Sequence, residues 1–157
     1  MAFLEYCNSI GAAGIQSSLT SLEPDYLAKL ERRAKDLGMY IEVMVGLPKA
    51  DMGRFVATVE AAKKIGALCL RTACLSDRRY ERFNTLVEWQ QFITEAKSGI
   101  ARAVPIVSKV KLPLAIENHK DWIADEFVAL LKAYSSDYLG ACLDTGNNIS
   151  LLMTRWM

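Results

Sequence analysis

The stretch from Leu112 to Trp122, "LPLAIENHKDW", decides how this chain is read. Its first half is a short apolar run bounded by a proline, which suits a strand buried on both faces. The run ends abruptly in Glu117, Asn118 and His119, and that histidine is the only one in the chain. A carboxylate, an amide and an imidazole at the end of a buried strand cost free energy unless each finds a partner or a ligand. In parallel α/β folds, ligands bind at the carboxyl ends of the strands.

Moving outward, the pattern alternates on both sides. After the stretch, "ADEFVALLKAYSS" (124–136) reads as a helix and "YLGACLD" (138–144) as a strand. Before it, residues 84–110 form a long helical region with Leu86, Trp89, Phe92, Ile93 and Ile100 on its apolar face. Pro105 is expected to kink that region or to start a second segment. Upstream lie a polar loop, "SDRRYERFN", and a strand, "LCLRTACL". The segment "MGRFVATVEAAKKIGA" reads as a helix with Asp51 as its cap and Phe55, Val56, Val59 and Ile65 as its buried stripe. The strand "MYIEVMVGLP" precedes it. The segment "PDYLAKLERRAKDLG" carries Pro24 in its first turn and Gly38 at its end, the two ends of a helix. A short strand, "GIQSSL", follows Gly14. "AFLEYCNSI" looks like a helix that should follow a strand, and no strand precedes it.

Strand and helix thus alternate about five times, with apolar strands, the signature of a parallel sheet. No linker or low-complexity segment interrupts residues 1–157, so one domain is expected. Two architectures compete, an open doubly wound sheet and a (β/α)₈ barrel. The first should show a glycine-rich phosphate turn, and neither "GAAG" nor "VGLP" matches one. The second takes about 250 residues when complete, more than the 157 here.

Composition excludes several function classes. With 52% hydrophobic and 24% charged residues and a net charge of +1, the chain has a globular composition. It has no general attraction to nucleic acid or anionic membrane. The start lacks the features of a secretory signal, and the four cysteines show no C-x-x-C spacing. Reduced, buried thiols in a cytoplasmic protein are expected.

The strand ends offer Gln16 and Ser17, Glu42, Arg71 and Thr72, then Glu117 with Asn118 and His119, and finally Asp144 with Thr145. Glu117 and Asp144, on successive strand ends, could share one divalent cation that takes oxygen ligands. His119 lies two residues beyond Glu117 and so points to the same side of a continuing strand. The plainer reading has the two carboxylates capping helices or pairing with Arg71, and Glu42 as an equal candidate partner of Arg71. Arg78, Arg79 and Arg82 read as a solvated loop, with a minor phosphate-binding role open to them.

The motifs "LAIENHKDW" and "YLGACLDTGNN", in that order, resemble the sugar phosphate isomerase/epimerase family of the xylose isomerase-like TIM-barrel superfamily, which includes endonuclease IV. The resemblance runs from about residue 3 to about residue 150. It implies a partial (β/α)₈ TIM barrel of about strands two to six, an incomplete single domain over 1–157. It also implies a divalent metal (Mn²⁺, Mg²⁺, Co²⁺ or Zn²⁺) held by Glu117 and Asp144. Glu117 would double as the catalytic base. Arg71, Asn118 and His119 would bind a sugar or sugar phosphate. The family's later His and Glu ligands would lie beyond residue 157. Asn147 stands where endonuclease IV and some epimerases carry a histidine, and the tail "ISLLMTRWM" departs from the pattern. The expected function is therefore a metal-dependent isomerase or epimerase, weak or inactive as a truncated chain. The first alternative is a non-catalytic fragment that associates with another chain, or with itself, through exposed sheet edges. The second is an endonuclease IV-like repair protein. No nucleic acid or membrane partner is expected.

Overall fold

A computed structural model describes residues 1–147 and 149–151. The end of the "ISLLMTRWM" tail, residues 152–157, lies outside them. Five strands, β1 (Gly14–Ser17), β2 (Tyr40–Met44), β3 (Cys69–Ala73), β4 (Leu114–Glu117) and β5 (Leu139–Cys142), form one parallel sheet in the order β1-β2-β3-β4-β5. Helices α1 (Ala2–Ser9), α2 (Pro24–Asp36), α3 (Gly53–Lys64), α5 (Leu86–Val110) and α6 (Ala124–Lys132) alternate with them, and a one-turn helix α4 (Arg79–Arg82) lies in the loop after β3.

Strand order settles the contest between architectures. A doubly wound sheet reverses its order at a switch point, and this sheet never does. Parallel crossovers are right-handed. Sequential strands therefore place every connecting helix on the same face, and the sheet takes the sense of a barrel wall.

The local reasons repeat along the chain. Helix α2 starts with Pro24 in its first turn, where a missing N–H costs nothing. It ends at Gly38, whose φ of +64° suits glycine, with the Met39 N–H returning to the Ala34 carbonyl at 2.9 Å. Helix α5 closes in the same way, but with Lys111 in the left-handed position at φ 55°. It opens on a capping box between Thr85 and Glu88. The Asp51 carboxylate accepts from the Gly53 N–H at 2.9 Å, although Met52 occupies the cap position itself.

Pro105 does not start a second segment. Helix α5 runs unbroken from Leu86 to Val110 with Pro105 inside it. Pro105 and Ala101, whose carbonyl loses its donor, are both on the exposed side. Water can serve that carbonyl, so the proline does not end the helix.

The core lies between the sheet and its helices. Ile15, Ile41, Val43, Leu70, Leu114 and Val107 belong to an aliphatic cluster. Trp89, Ile100, Ile116, Trp122 and Phe127 form a second, aromatic cluster under α5 and α6. Gly99 lets the loop after β2 approach α5 closely, since a Cβ there would sit 3.2 Å from the Leu47 Cβ. Cys7 is buried, the other three cysteines are partly exposed, and all four are free thiols. Among the described residues no helix is long and apolar enough to cross a membrane.

Candidate functional site

Strand alternation sends Ile15, Ile41, Val43, Leu70, Thr72, Leu114 and Ile116 toward the helices. The intervening residues face the other, open side. Register partners in parallel strands point the same way. The register therefore puts Gln16, Glu42 and Cys69 in one row of that side, Met44, Arg71, Ala115 and Gly140 in the next, and Ala73, Glu117 and Cys142 in the row nearest the strand ends.

The strand-end polar groups divide between these rows. Gln16 and Glu42 pair with each other, the Gln16 amide donating to a Glu42 oxygen at 2.8 Å. Arg71 lies diagonally between two carboxylates, Glu42 and Glu117, and its Nη2 contacts the Glu117 Oε2. Of the two partners the sequence offered Arg71, Glu42 and Glu117, the structure pairs it with Glu117, which corrects the Glu42 alternative. Thr72, also offered by the sequence, faces the helices at 1% exposure and takes no part.

Glu117 is 7% exposed, and each of its oxygens meets a donor. Besides Arg71 on Oε2, the Asn147 amide donates to Oε1 at 3.3 Å. His119 Nε2 stands 4.0 Å from that same oxygen, and its Nδ1 is buried with no hydrogen-bond partner among the described residues. Asn118 grips the β5 end: its Nδ2 donates to the Asp144 carbonyl at 2.8 Å, and its Oδ1 accepts from the Asp144 N–H at 2.7 Å. The Asp144 Oδ1 accepts from the Gly146 and Asn147 N–H groups at 2.8 and 3.2 Å, closing its own turn. Asn147 therefore bridges the two carboxylates, with its backbone on Asp144 and its side chain on Glu117. The sequence marked this residue only as a departure from a histidine. Its role depends on a loop closure that spacing does not reveal.

The structure thus brings Glu117, Arg71, His119 and Asn147 together and joins Asn118 to Asp144 beside them. Two further residues support the group. Asp121 is fully buried, accepting from the Leu75 N–H at 3.2 Å and the Trp122 N–H at 2.9 Å. Burial pushes its carboxyl above the ordinary value, against the pull of those N–H groups and of His119. It ties the loop after β3 to the loop that carries His119. Its signal in the sequence was only an aspartate just past a strand end. Arg79, expected in solvent, lies over the Trp89 ring at 3.7 Å and donates to Glu126 at 2.8 Å. Arg78 and Arg82 are exposed, as expected, with Glu81 and Asp77 beside them.

Two hard, anionic oxygen donors on neighbouring strand ends suit a divalent cation. Among the described residues no three His, Cys, Asp or Glu side chains converge as a cation site. Glu117 and Asp144 would be two of the four to eight donors such a shell takes, and the described residues bring no third side chain of these types beside them.

No protein-family model matches the chain. It is 26% identical over 156 residues to the 3-oxo-isoapionate decarboxylase of Pectobacterium atrosepticum, covering 96% of this chain and 52% of that one. Among solved structures, the 3-keto-D-glucoside 4-epimerase YcjR of E. coli superposes with a TM-score of 0.75 at 8% identity, over 98% of this chain and 65% of that one. A xylose isomerase domain protein of Planctomyces limnophilus gives 0.68 at 10% identity, over 92% and 58%. These likenesses show the fold. The chain has the fold of part of a TIM barrel. It spans about half the length of the curated relative it matches.

Proposed function

We propose that this chain forms part of a sugar isomerase or epimerase site in which Glu117 and Asp144 are two ligands of a divalent cation (Mn²⁺, Mg²⁺, Co²⁺ or Zn²⁺). Glu117 is also the base that moves the proton beside the substrate carbonyl. One observation carries the reading. Glu117 is a buried carboxylate at the carboxyl end of a barrel strand, on the open face, joined to Arg71 and Asn147 and faced by His119. When bound, the metal polarises the carbonyl and hydroxyl oxygens of the substrate. Arg71 and His119 orient a sugar or sugar phosphate, and Asn118 holds the Asp144 turn in place. The names of the relatives support a sugar substrate: one acts on 3-oxo-isoapionate and another on a 3-keto-D-glucoside. The test is Mn²⁺ binding by calorimetry. Glu117→Gln and Asp144→Asn should each weaken binding at least about tenfold, roughly 1.4 kcal/mol. Unchanged binding in both variants sinks the ligand assignment.

A second reading, a non-catalytic chain that associates with another, is favoured by the sheet edges. Strands β1 and β5 pair on one side only among the described residues. Phe3, Tyr6 and Ile10 are exposed on and just after α1, and Leu143 is exposed just past β5. Such edges invite pairing. A sedimentation series that shows only monomer up to high concentration removes this reading.

A further inference from the structure

We propose that the Arg71 guanidinium is a built-in cation that holds Glu117 in place of a divalent metal, so that a metal reaches this carboxylate only once Arg71 swings aside. The inference rests on Glu117 and Asp144 being metal ligands, and it adds a device that controls loading.

Three observations carry it. The first is charge. Arg71 is the salt-bridge partner that contacts Glu117, and the pair is buried, with side-chain exposures of 15% and 9%. A divalent ion approaching Glu117 would meet a positive charge already at the carboxylate, in a setting where water screens it poorly. The second is the weak hold on the guanidinium. Its Nε–H is buried and has no hydrogen-bond partner among the described residues. The other carboxylate within diagonal reach, Glu42, is taken by Gln16. Turning away therefore gives up the Glu117 contact and no bond at Nε. The third is room. The row of Arg71 continues across the sheet through Ala115 and Gly140. Both neighbours are small, so neither side chain of that row stands in the way of a turning guanidinium.

The consequence is an exchange of cations. With the metal on Glu117 and Asp144, the freed guanidinium faces the open side as a donor for an anionic or partly anionic group of the substrate. Without the metal, the same guanidinium keeps the buried carboxylate paired, as a buried charge requires.

The experiment compares Mn²⁺ binding, by calorimetry and by the spin-resonance signal of the free ion, in the full chain and in Arg71→Gln, Arg71→Lys and the double variant Arg71→Gln/Glu117→Gln. Arg71→Gln should bind Mn²⁺ at least about tenfold more tightly than the unaltered chain. Arg71→Lys keeps the charge and should stay near the unaltered chain. The double variant should lose the gain. Mn²⁺ should also raise the melting temperature of Arg71→Gln more than that of the unaltered chain. If Arg71→Gln is unfolded alone, millimolar Mn²⁺ should restore its cooperative melt. Equal, weaker or absent Mn²⁺ binding by Arg71→Gln, or no restoration of an unfolded variant, overturns the proposal. The two failures stay distinct. If Glu117→Gln and Asp144→Asn weaken binding while Arg71→Gln gains nothing, the ligands stand and the exchange falls. If neither carboxylate matters, the ligand assignment itself falls.

Discussion

The two faces of this sheet obey different rules. On the helix side, Ile41, Val43, Leu70, Leu114 and Ile116 are at most 4% exposed, and they meet other aliphatic and aromatic side chains. Their attraction is non-directional, so what matters is filled volume. On the open side, Gln16 matches Glu42, and Arg71 matches Glu117. The Arg71–Glu117 pair is buried, and charges tolerate burial only with a partner, so what matters there is that no partner is lost. The contrast shows where each kind of change should hurt.

The largest effect should come from breaking a pair. Arg71→Met leaves Glu117 buried without its counter-ion and should cost about 3–5 kcal/mol in urea unfolding. Adding Glu117→Leu to Arg71→Met should recover most of that loss. If the double variant is as unstable as the single one, the open face is not held pairwise. Next comes volume on the other face. Leu114→Ala should cost about 2–5 kcal/mol by the same measurement. No second polar substitution should rescue it.

The smallest effect is one of pH and concerns Cys74, which packs with the aromatic cluster. Burial, helped by the charge of Asp121, pushes its thiol from an ordinary 9.0 up to about 12. Between those values the unfolded chain releases the thiol proton while the folded chain keeps it. Stability must therefore fall as pH rises through that window. Urea midpoints measured from pH 8 to 10.5 should fall less steeply in Cys74→Ala than in the unaltered chain. Parallel slopes would show that the thiol is not the group responsible.

Much of the fold was legible because local rules agreed along the chain. Apolar runs alternated with amphipathic segments, and Pro24 and Gly38 bounded α2 where helix-end chemistry puts them. Pro105 does not divide α5, because a proline breaks a helix only where its lost hydrogen bond and ring find no room. Here that side of α5 faces solvent. The site was legible in part. Glu117 and His119 stood out as polar residues ending an apolar run. Asn147, Asp121 and Arg79 did not, since each acts through partners 30 to 47 residues away.

By itself, then, the sequence determined the alternation of strand and helix, the polar character of the strand ends, and the motifs that point to a TIM barrel. These depend on neighbours along the chain, where spacing and side-chain chemistry suffice. The tertiary structure alone decided which carboxylate Arg71 holds. Arg71 stands between Met44 and Ala115 in register, with Glu42 and Glu117 on opposite diagonals. Gln16, arriving from β1, donates to Glu42, and Arg71 pairs with Glu117. That choice follows from strand register, which is fixed only when the whole sheet packs its apolar face against the helices.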